Sequence, residues 1–591
     1  MAALLSSRHR PAAGDQCYCE AMRWVFPEAD RAAVDTLRKE LGIPSLAARV
    51  LALRGYADPA SAAAFLLPAL GQLLDPFLMR DVRAAVERLK QAIRRKEKVL
   101  IYGDYDVDGT MAAVVLLTAL RSLGATVEAH IPDRHADGYG MRARVMERAA
   151  QEGFRVVISV DNGIREHEAL SRAQELGIDC IVTDHHLPGP AIPPAIAILN
   201  PHQPHCSYPD KNLSGVGVAF KLAQALLGTS LSDKALRSYL KLVAIGSIAD
   251  VVPLRGENRT MAHFGLAGLS ESAGLRAPRS PGQTGLRALL AVAGLDGKPV
   301  SAGDVAFRIA PRLNAAGRML NARDVIDLFT QCDPTQTQEI AGRLEMLNRR
   351  RQSLEEAILA EIAARAERAT PIDNRYSLVF CEKAWHRGVI GIVAQRLVDL
   401  YHRPTLVIAV EDGVGYGSGR SIAGFHLFNA LSQAKELFTR FGGHASAAGF
   451  TLPALNVPQL EEALERHARS TLTAADLEPS LRIDAVISLR EITWELFRHL
   501  REFEPFGFGN PAPVFAAKVE FCRPSRVFKE KHLKTTVREA GRSFEVVGWG
   551  MAKRAPQLAG QGEIAFTLAE NNYRGETSLE LVLKDVRPMQ R

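Results

Sequence analysis

Three aspartates at alternate positions, Asp104, Asp106 and Asp108, stand in "YGDYDVDGT" and are followed at once by a glycine. Carboxylates so spaced gather hard cations, and D-x-D-x-D-G is how an EF-hand calcium loop begins. Such a loop also needs a glutamate at its twelfth position and a helix before it. Counting from Asp104, the twelfth position is Val115, and the run before the motif is the apolar, β-branched "KEKVLIYG". The run after it, "TMAAVVLLTALRSLG", reads as helix. The aspartates therefore sit at a strand-to-helix turn, and the calcium-loop reading fails. A solvated acidic cluster is the plain alternative, but a strand, an acidic turn and a helix in series are where α/β enzymes place their chemistry.

More acidic and imidazole groups follow in the same setting. Asp161 ends the strand-like "ISVDNG"; Asp184, His185 and His186 end "IVTDHH"; Asp250 follows an apolar run in "VAIGSIADVVPL". In an open α/β sheet the carboxyl ends of the strands share one crevice, so these groups are expected to meet there. Crowded carboxylates repel one another and hold protons more tightly, unless a cation relieves them. Oxygen ligands with one or two imidazoles suit manganese or magnesium better than zinc. Two such ions, ~3.5–4 Å apart, bind a phosphate, activate water and steady the leaving oxygen. That arrangement needs a bridging carboxylate, for which Asp161 is the natural candidate. Adjacent side chains on extended backbone diverge, so His185 and His186 are expected to do different work, one on metal and one on phosphate or an outer carboxylate. Taken singly, each of these residues is more often a cap or a satisfied polar group; four groups, Asp250 among them, at the ends of expected strands reverse that balance.

The elements that must position them alternate. "KVLIYGDYD", "ATVEAHIPD", "FRVVISVDNGI" and "IDCIVTDHH" read as strands with helical segments between, which predicts an α/β fold with a doubly wound parallel sheet. Residues 1–95 read as a helical region, 96–275 as the catalytic domain and 276–369 as a linking segment, with a loop at Arg276–Gly285. Within the linker, Ile340, Leu344, Leu347, Leu354 and Ile358 form one apolar stripe on a helix predicted over Gln336–Arg368. A second α/β unit is predicted over 370–475 and a small C-terminal β-barrel over 476–591. The 591 residues are enough for three or four domains, and 47% hydrophobic with 24% charged residues is ordinary for a soluble globular protein. Apolar runs such as "MAAVVLLTAL" fall far short of the ~20 residues that span a bilayer. The start of the chain lacks the apolar core of a secretory signal. Seven scattered cysteines, Cys17, Cys19, Cys180, Cys206, Cys332, Cys381 and Cys522, predict neither disulfides nor zinc, and a reducing cytoplasm is expected. The net charge is +7, and Lys518–Arg554 holds ten Lys or Arg against four Glu, a local +6. That run is either a solvated face or a nucleic-acid contact.

In this order "GDYDVDG", "SVDNGI", "TDHH" and "IADVVPL" resemble the motifs of the DHH phosphoesterases. "APRLNAAGRM", "GSGRSIAGFHLFNAL", "FGGHASAAGF" and "EPFGFGNPAPVF" are similar to further motifs of that family. The resemblance runs from about Tyr102 to the C-terminus. It implies a bilobal core, a DHH domain and a DHHA1-type domain joined by a long helix, with an OB-fold domain after them. It also implies single-stranded DNA in the cleft between the lobes, and 5′→3′ release of 5′ mononucleotides in DNA repair and recombination. Carried over by motif, the metal ligands are Asp104, Asp106, Asp108, Asp161, His185 and Asp250, holding two Mn2+ or Mg2+ ions, with Asp161, His185 and His186 catalytic. Some relatives have a histidine where Tyr102 stands. A 5′-ended single strand is the implied substrate, with a single-strand-binding protein and a helicase as protein partners and no membrane contact.

The second unit supplies an anion site in this reading. Glycines in "GYGSGRS" and "FGGHASAAG" bring backbone N–H groups close to a phosphate. Arg420 with Ser418 and Ser421 forms a clamp, and Gly443, His444, Arg312 and Arg318 complete the substrate contacts. Plain turn geometry is the alternative for those glycines. Phe506, Phe508, Phe528 and Trp549 are candidate stacking aromatics on the C-terminal domain, against the ordinary role of such residues as core. Two other functions stay open: a phosphoesterase acting on short oligonucleotides, cyclic dinucleotides or pyrophosphate, and a non-catalytic single-strand-binding accessory.

Overall fold

The computed structural model describes residues 22–132, 140–274, 281–331, 333–366, 372–573 and 575–589. The chain divides into two compact units. Of the described residues, the first holds those within 60–349 and 502–512, and the second those within 22–59, 350–501 and 513–589.

The first unit is built on five parallel strands: β1 (Lys98–Tyr102), β2 (Thr126–His130), β3 (Phe154–Val160), β4 (Asp179–Thr183) and β5 (Ala197–Leu199), in the order β2-β1-β3-β4-β5. Alternate residues of one strand enter different cores. Val99, Ile101, Ile158 and Ile181 lie in one apolar cluster, and Leu100, Tyr102, Val157 and Val182 in another. Both faces are thus covered, which is why these strands read as continuous apolar runs rather than alternating ones. The winding direction reverses between β1 and β3, and the crevice of such a sheet opens at the carboxyl ends of that pair.

Helix α1 (Val107–Ser122) leaves β1 through the acidic turn, and Asp106 caps it by accepting from the Gly109 N–H. It is buried almost throughout and packs against α2 (Gly215–Leu227) and α3 (Asp233–Ala249). Asp250 caps the C-terminus of α3 and does not follow a strand. The run Val243–Ile248 is buried on every side, and a wholly buried helix and a buried strand look alike in sequence. Helix α4 (Gly256–Ala273) follows. The loop expected at Arg276–Gly285 is helical from Pro281, where the helix Pro281–Val292 begins; the residues before it, 276–280, lie outside the described ones. Proline suits that first position, where an N–H would be unsatisfied anyway.

The long helix α5 (Pro334–Ala366) has 33 residues, about 50 Å of helix, and the boundary between the units falls inside it after Arg349. Ile340, Leu344, Leu347 and Ile358 of its stripe are buried; the last two positions expected for the helix, 367–368, lie outside the described residues.

In the second unit, β6 (Leu378–Glu382), β7 (Thr405–Glu411), β8 (Val414–Arg420), β9 (Arg440–Gly443) and β10 (Ala447–Pro453) form a sheet ordered β9-β10-β8-β7-β6, with α6 (Ile390–Tyr401) between β6 and β7. Five further strands are β11 (Phe515–Phe521), β12 (His532–Glu539), β13 (Arg542–Gly548), β14 (Gln561–Tyr573) and β15 (Glu576–Pro588). They pair β11-β14-β15-β13-β12 and back to β11, so the sheet closes into a ring. The described residues before Lys98 are shared between the units. The strand Arg23–Val25 pairs with Ser480–Arg482, and Trp24 donates to Asp585 at 2.7 Å within the second unit, while the helix Val82–Arg95 counts with the first. Residues Glu502–Ala512 also belong to the first unit, so Phe506 and Phe508 are not part of the ring.

No helix among the described residues is long and apolar enough to cross a membrane. Cys180, Cys206, Cys381 and Cys522 are free thiols; Cys17, Cys19 and Cys332 lie outside the described residues.

Candidate metal centre

The acidic turn after β1 is held open by its own backbone. A Cβ on Gly109 would lie 2.7 Å from the Asp104 backbone nitrogen, so only glycine lets the start of α1 fold this close to Asp104. Asp161, first residue after β3, has a φ of 61°, a left-handed conformation that aspartate tolerates better than most residues. Its N–H donates to the Thr183 carbonyl at 2.9 Å, which ties the end of β3 to the end of β4. After β4 the chain turns on Asp184. One carboxylate oxygen accepts the N–H groups of His185 (2.7 Å) and His186 (3.1 Å) and also meets His186 Nδ1 at 2.8 Å; the other accepts the Ile164 N–H.

The backbone of His185 and His186 is therefore a turn rather than a strand, and the two rings do not diverge but lie 4.4 Å apart. They differ in chemistry instead. Burial, with the neighbouring His186, holds the His185 imidazole down at about 4. His185 is neutral, and because the Leu213 backbone takes up one ring nitrogen, Nε2 is left as a bare lone pair. Burial pushes His186 down as well, but the Asp184 carboxylate on its Nδ1 outweighs this and raises it to about 9. Asp184 shows the reciprocal effect. Burial pushes it up, and the bond from His186 with both imidazoles brings it below its ordinary value.

His185 Nε2 faces carboxylates on three sides: Asp161 Oδ1 at 3.2 Å, Asp250 Oδ2 at 3.6 Å and Asp108 Oδ2 at 4.0 Å. His185 Nε2 and Asp161 Oδ1 are buried, and neither has a hydrogen-bond partner among the described residues. Acceptors turned toward acceptors in a buried space fit a cation and little else. The potential ligand atoms form three overlapping sets: Asp104, Asp106 and Asp161; Asp161, His185 and His186; and Asp108, His185 and Asp250, each within 4.8 Å. Asp161 and His185 each belong to two. The residues present could hold divalent cations, and the six metal ligands expected from the motifs meet in one place, with His186 beside them.

The carboxyls register the crowding. Asp108 is raised to about 7 by burial and the charge of Asp106, against the pull of the Gly215 and Val216 N–H groups that donate to it at 2.6 and 2.9 Å. Burial, then Asp108 and Asp106, hold Asp161 and Asp250 well above the usual carboxylate range. The start of α2 that grips Asp108 was not among the expected site residues. Ser214 caps that helix, and a Cβ on Gly215 would come 2.4 Å from Asp161 Oδ1. "LSGVG" has the form of an ordinary helix start, although a serine followed by two glycines marks a close approach. Gly317, in "NAAGRM", supports the turn in the same way, since a Cβ there would meet the Tyr105 carbonyl at 2.3 Å. Tyr102 is fully buried, donates to the Gly140 carbonyl at 3.3 Å and packs edge-on against His130.

Of the expected substrate contacts in the first unit, Arg312 sits 2.7 Å from Glu345 and donates to the Arg308 and Val292 carbonyls. That work pins the helix Ala310–Met319 to α5 and engages the guanidinium. Arg318 ends the same helix. In the second unit Ser418, Arg420 and Ser421 come together with Gly443 and His444. Arg420 pairs with Ala447 at the start of β10, and His444 opens the turn by donating to the Ala447 carbonyl at 2.8 Å. "GYGSGR" is a strand, not a turn. Gly417 and Gly419 leave room for Phe450 and Leu406 of neighbouring strands, whose side chains a Cβ would strike at 2.1 and 2.6 Å. Arg420 Nη1 donates to Ser418 Oγ and the Gly419 carbonyl, and Gly391 in the first turn of α6 lies against Ser418.

Comparison with known proteins agrees with this geometry. Residues 98–247 match the DHH family, N-terminal domain; 373–470 match the DHHA1 domain; and 483–585 match the RecJ OB domain. The chain is 38% identical over 571 residues to the single-stranded-DNA-specific exonuclease RecJ of Bacillus subtilis (strain 168), covering 95% of this chain and 70% of that protein. It is 35% identical to the RecJ of Dickeya dadantii (strain 3937), covering 93% and 96%. The crystal structure of RecJ in complex with Mn2+ from Thermus thermophilus superposes with a TM-score of 0.82 at 31% identity, over 96% of this chain and 80% of that one. Matches at this identity along nearly the whole chain, together with a carboxylate–imidazole centre at the switch point of the sheet, mean that the chain belongs to the RecJ family of DHH-type single-stranded-DNA-specific exonucleases.

Proposed function

We propose that this chain hydrolyses single-stranded DNA from the 5′ end and releases 5′ mononucleotides, in a metal-dependent reaction serving DNA repair and recombination. One observation carries the reading: Asp161 Oδ1 and His185 Nε2 are buried, without a hydrogen-bond partner among the described residues, and shared among three overlapping ligand sets. Bound there, manganese or magnesium ions supply Lewis acidity, drawing charge off a phosphodiester and lowering the pKa of water. The protein's part is to hold the groups in place. The Gly215 and Val216 N–H groups fix Asp108, the Thr183 carbonyl fixes the Asp161 backbone, and the Leu213 backbone orients His185. His186, charged and steered by Asp184, is suited to donate to a phosphate oxygen rather than to bind metal.

In the second unit Arg420, Ser418, Ser421, Gly443 and His444 are proposed to take a phosphate at the strand's end, and the exposed Trp549 beside Phe528 to stack on bases. Engagement with a single-strand-binding protein and a helicase, in a reducing cytoplasm, completes the proposal. A polymer fits better than a short substrate, because the ring offers a second single-strand surface.

Time-resolved digestion of 5′- and 3′-labelled single strands, with RNA and duplex controls, tests this. The 5′ label should be released first as mononucleotide, with Mn2+ and not in EDTA, and the duplex should persist. Release of the 3′ label first, or turnover without metal, would overturn it.

A further inference from the structure

The segment that follows Asp250 carries a conformation its residue does not favour. The Val251 N–H bonds to the Ile248 carbonyl, and the Val252 N–H to that of Ser247 at 3.4 Å, which is the Schellman ending of a helix. The left-handed position of that ending usually holds glycine. Here it holds Val251, with a φ of 61°, and a β-branched residue is the least suited to it. The strained side chain is also 59% exposed, directly beside a member of the metal centre. Strain of this kind is kept where the side chain has work to do.

A second apolar side chain is held against the residues that follow Val251. Leu254 donates to the Phe508 carbonyl at 2.8 Å, and Arg255 to that of Gly509 at 2.8 Å. Gly507 and Asn510 exchange backbone bonds of 2.9 and 3.1 Å, so Phe508 and Gly509 (φ 70°) form the tip of a tight turn. Added Cβ atoms on Gly507 and Gly509 would strike Leu254 and Pro253 at 2.7 and 2.9 Å. The turn lies flat on Pro253–Leu254, and Phe508 between the two glycines stays 59% exposed. The base of the turn is fixed: Asn510 is fully buried and bonds the Phe503 and Pro505 carbonyls, and Arg259 bonds those of Glu502 and Phe503. This is an aromatic ring on a rigid mount, not a loose loop.

We infer that Val251 and Phe508 form an apolar platform for an unpaired base of the strand whose phosphodiester lies at the metal centre. The inference rests on the exonuclease reading above. Bases offer a π-face whatever their identity, so such a platform holds a strand without selecting sequence. The platform adds a contact to the nucleobase, whereas the metal centre and the Arg420 cluster address only phosphate.

The test uses the full chain with Mn2+ and 5′-phosphorylated oligo-dT, either intact or with abasic sugars at its first two positions. Phe508→Ala should raise KM for the intact strand about tenfold, in line with the loss of one base–aromatic stack, and Val251→Gly should raise it by a smaller factor, while kcat changes little in either. KM for the abasic strand should stay put, so the preference for the intact one shrinks. Val251→Gly should melt no lower than wild type, since glycine relieves the strain. In Phe508→Trp, added oligo-dT in EDTA should change the fluorescence beyond the change wild type shows. Unchanged KM and preference in both variants, or no added signal from the tryptophan, would overturn the platform. Failure of wild type to digest single strands, with the tryptophan signal present, would instead overturn the exonuclease reading and leave the base contact standing.

Discussion

Asp161 is the residue on which the centre turns. It is 2% exposed, sits in left-handed backbone and belongs to two of the three ligand sets. Asp161→Ala should abolish hydrolysis while binding of oligo-dT in EDTA survives, as measured by fluorescence anisotropy; near-normal turnover with Mn2+ would remove Asp161 from the bridging position. Arg420 raises a different question, because carboxylates and cations do not tell one end of a strand from the other. A terminal phosphate carries more charge than an internal diester, so a guanidinium flanked by Ser418 and the start of α6 favours the end. A charge-assisted hydrogen bond contributes ~1.5–3 kcal/mol, or roughly ten- to a hundredfold in rate. Arg420→Ala should slow digestion of 5′-phosphorylated strands by that factor and of 5′-hydroxyl strands much less. A full preference for the 5′-phosphate in the variant would assign end recognition elsewhere, with Arg318 next to test.

At the scale of elements, the basic run Lys518–Arg554 is not uniform. Lys534 pairs with Glu545, Arg538 with Glu520, and Arg554 with Asp585. Arg526, Lys529 and Lys553 are exposed, and Arg526 and Lys529 flank Phe528 in sequence, whose ring lies 5.9 Å from that of Trp549. Surface ion pairs are weak, so the exposed cations should carry most of the phosphate contact. The triple change of Arg526, Lys529 and Lys553 to Ala should weaken single-strand binding and flatten the log–log salt slope by ~0.7 for each phosphate no longer neutralised. Turnover at saturating DNA should persist. An unchanged slope would make the run a solvated face.

For the whole molecule, the metal centre makes stability depend on pH. A carboxyl whose folded pKa lies above its unfolded value binds its proton more tightly in the fold. It stabilises the metal-free protein at low pH, and that contribution is lost as pH rises through the folded value, about 7 for Asp108. Asp161 and Asp250 act in the same sense, as does His186 on the approach to about 9. His185, held at about 4, acts in the opposite sense below its ordinary value, as do His202, His263, His402 and His467, which burial lowers elsewhere in the chain. Thermal unfolding followed by circular dichroism in EDTA isolates the Asp108 part: going from pH 5 to pH 8 should lower the midpoint of wild type relative to that of Asp108→Asn, whose side chain stays neutral. Mn2+ should raise the midpoint more at pH 8, where the carboxylates are free to bind it; a metal concentration about a hundredfold above Kd adds about 2.7 kcal/mol. Equal shifts at the two pH values would show that these carboxyls do not hold the ion.

The sequence by itself determined the order of the strands along the chain, the turns that end them and the identity of the charged groups, because apolar period and turn chemistry are local. It also placed Asp104, Asp106, Asp108, Asp161, His185 and His186 at carboxyl ends, which in a parallel sheet is enough to predict that they meet. Only the tertiary structure decided the rest. "VAIGSI" is buried on all sides, and burial on all sides erases the period that would have marked it as helix. "GYGSGR" is a strand because Phe450 and Leu406 lie over its glycines, partners that come from elsewhere in the chain. The turn at Phe508 joins the unit that holds the metal centre although its sequence leads into the ring, since Leu254, Arg255 and Arg259 capture its backbone from about 250 residues away. His185 and His186 part in charge through Asp184, Leu213 and burial. Long-range contacts of this kind leave no local period, so no reading of spacing alone finds them.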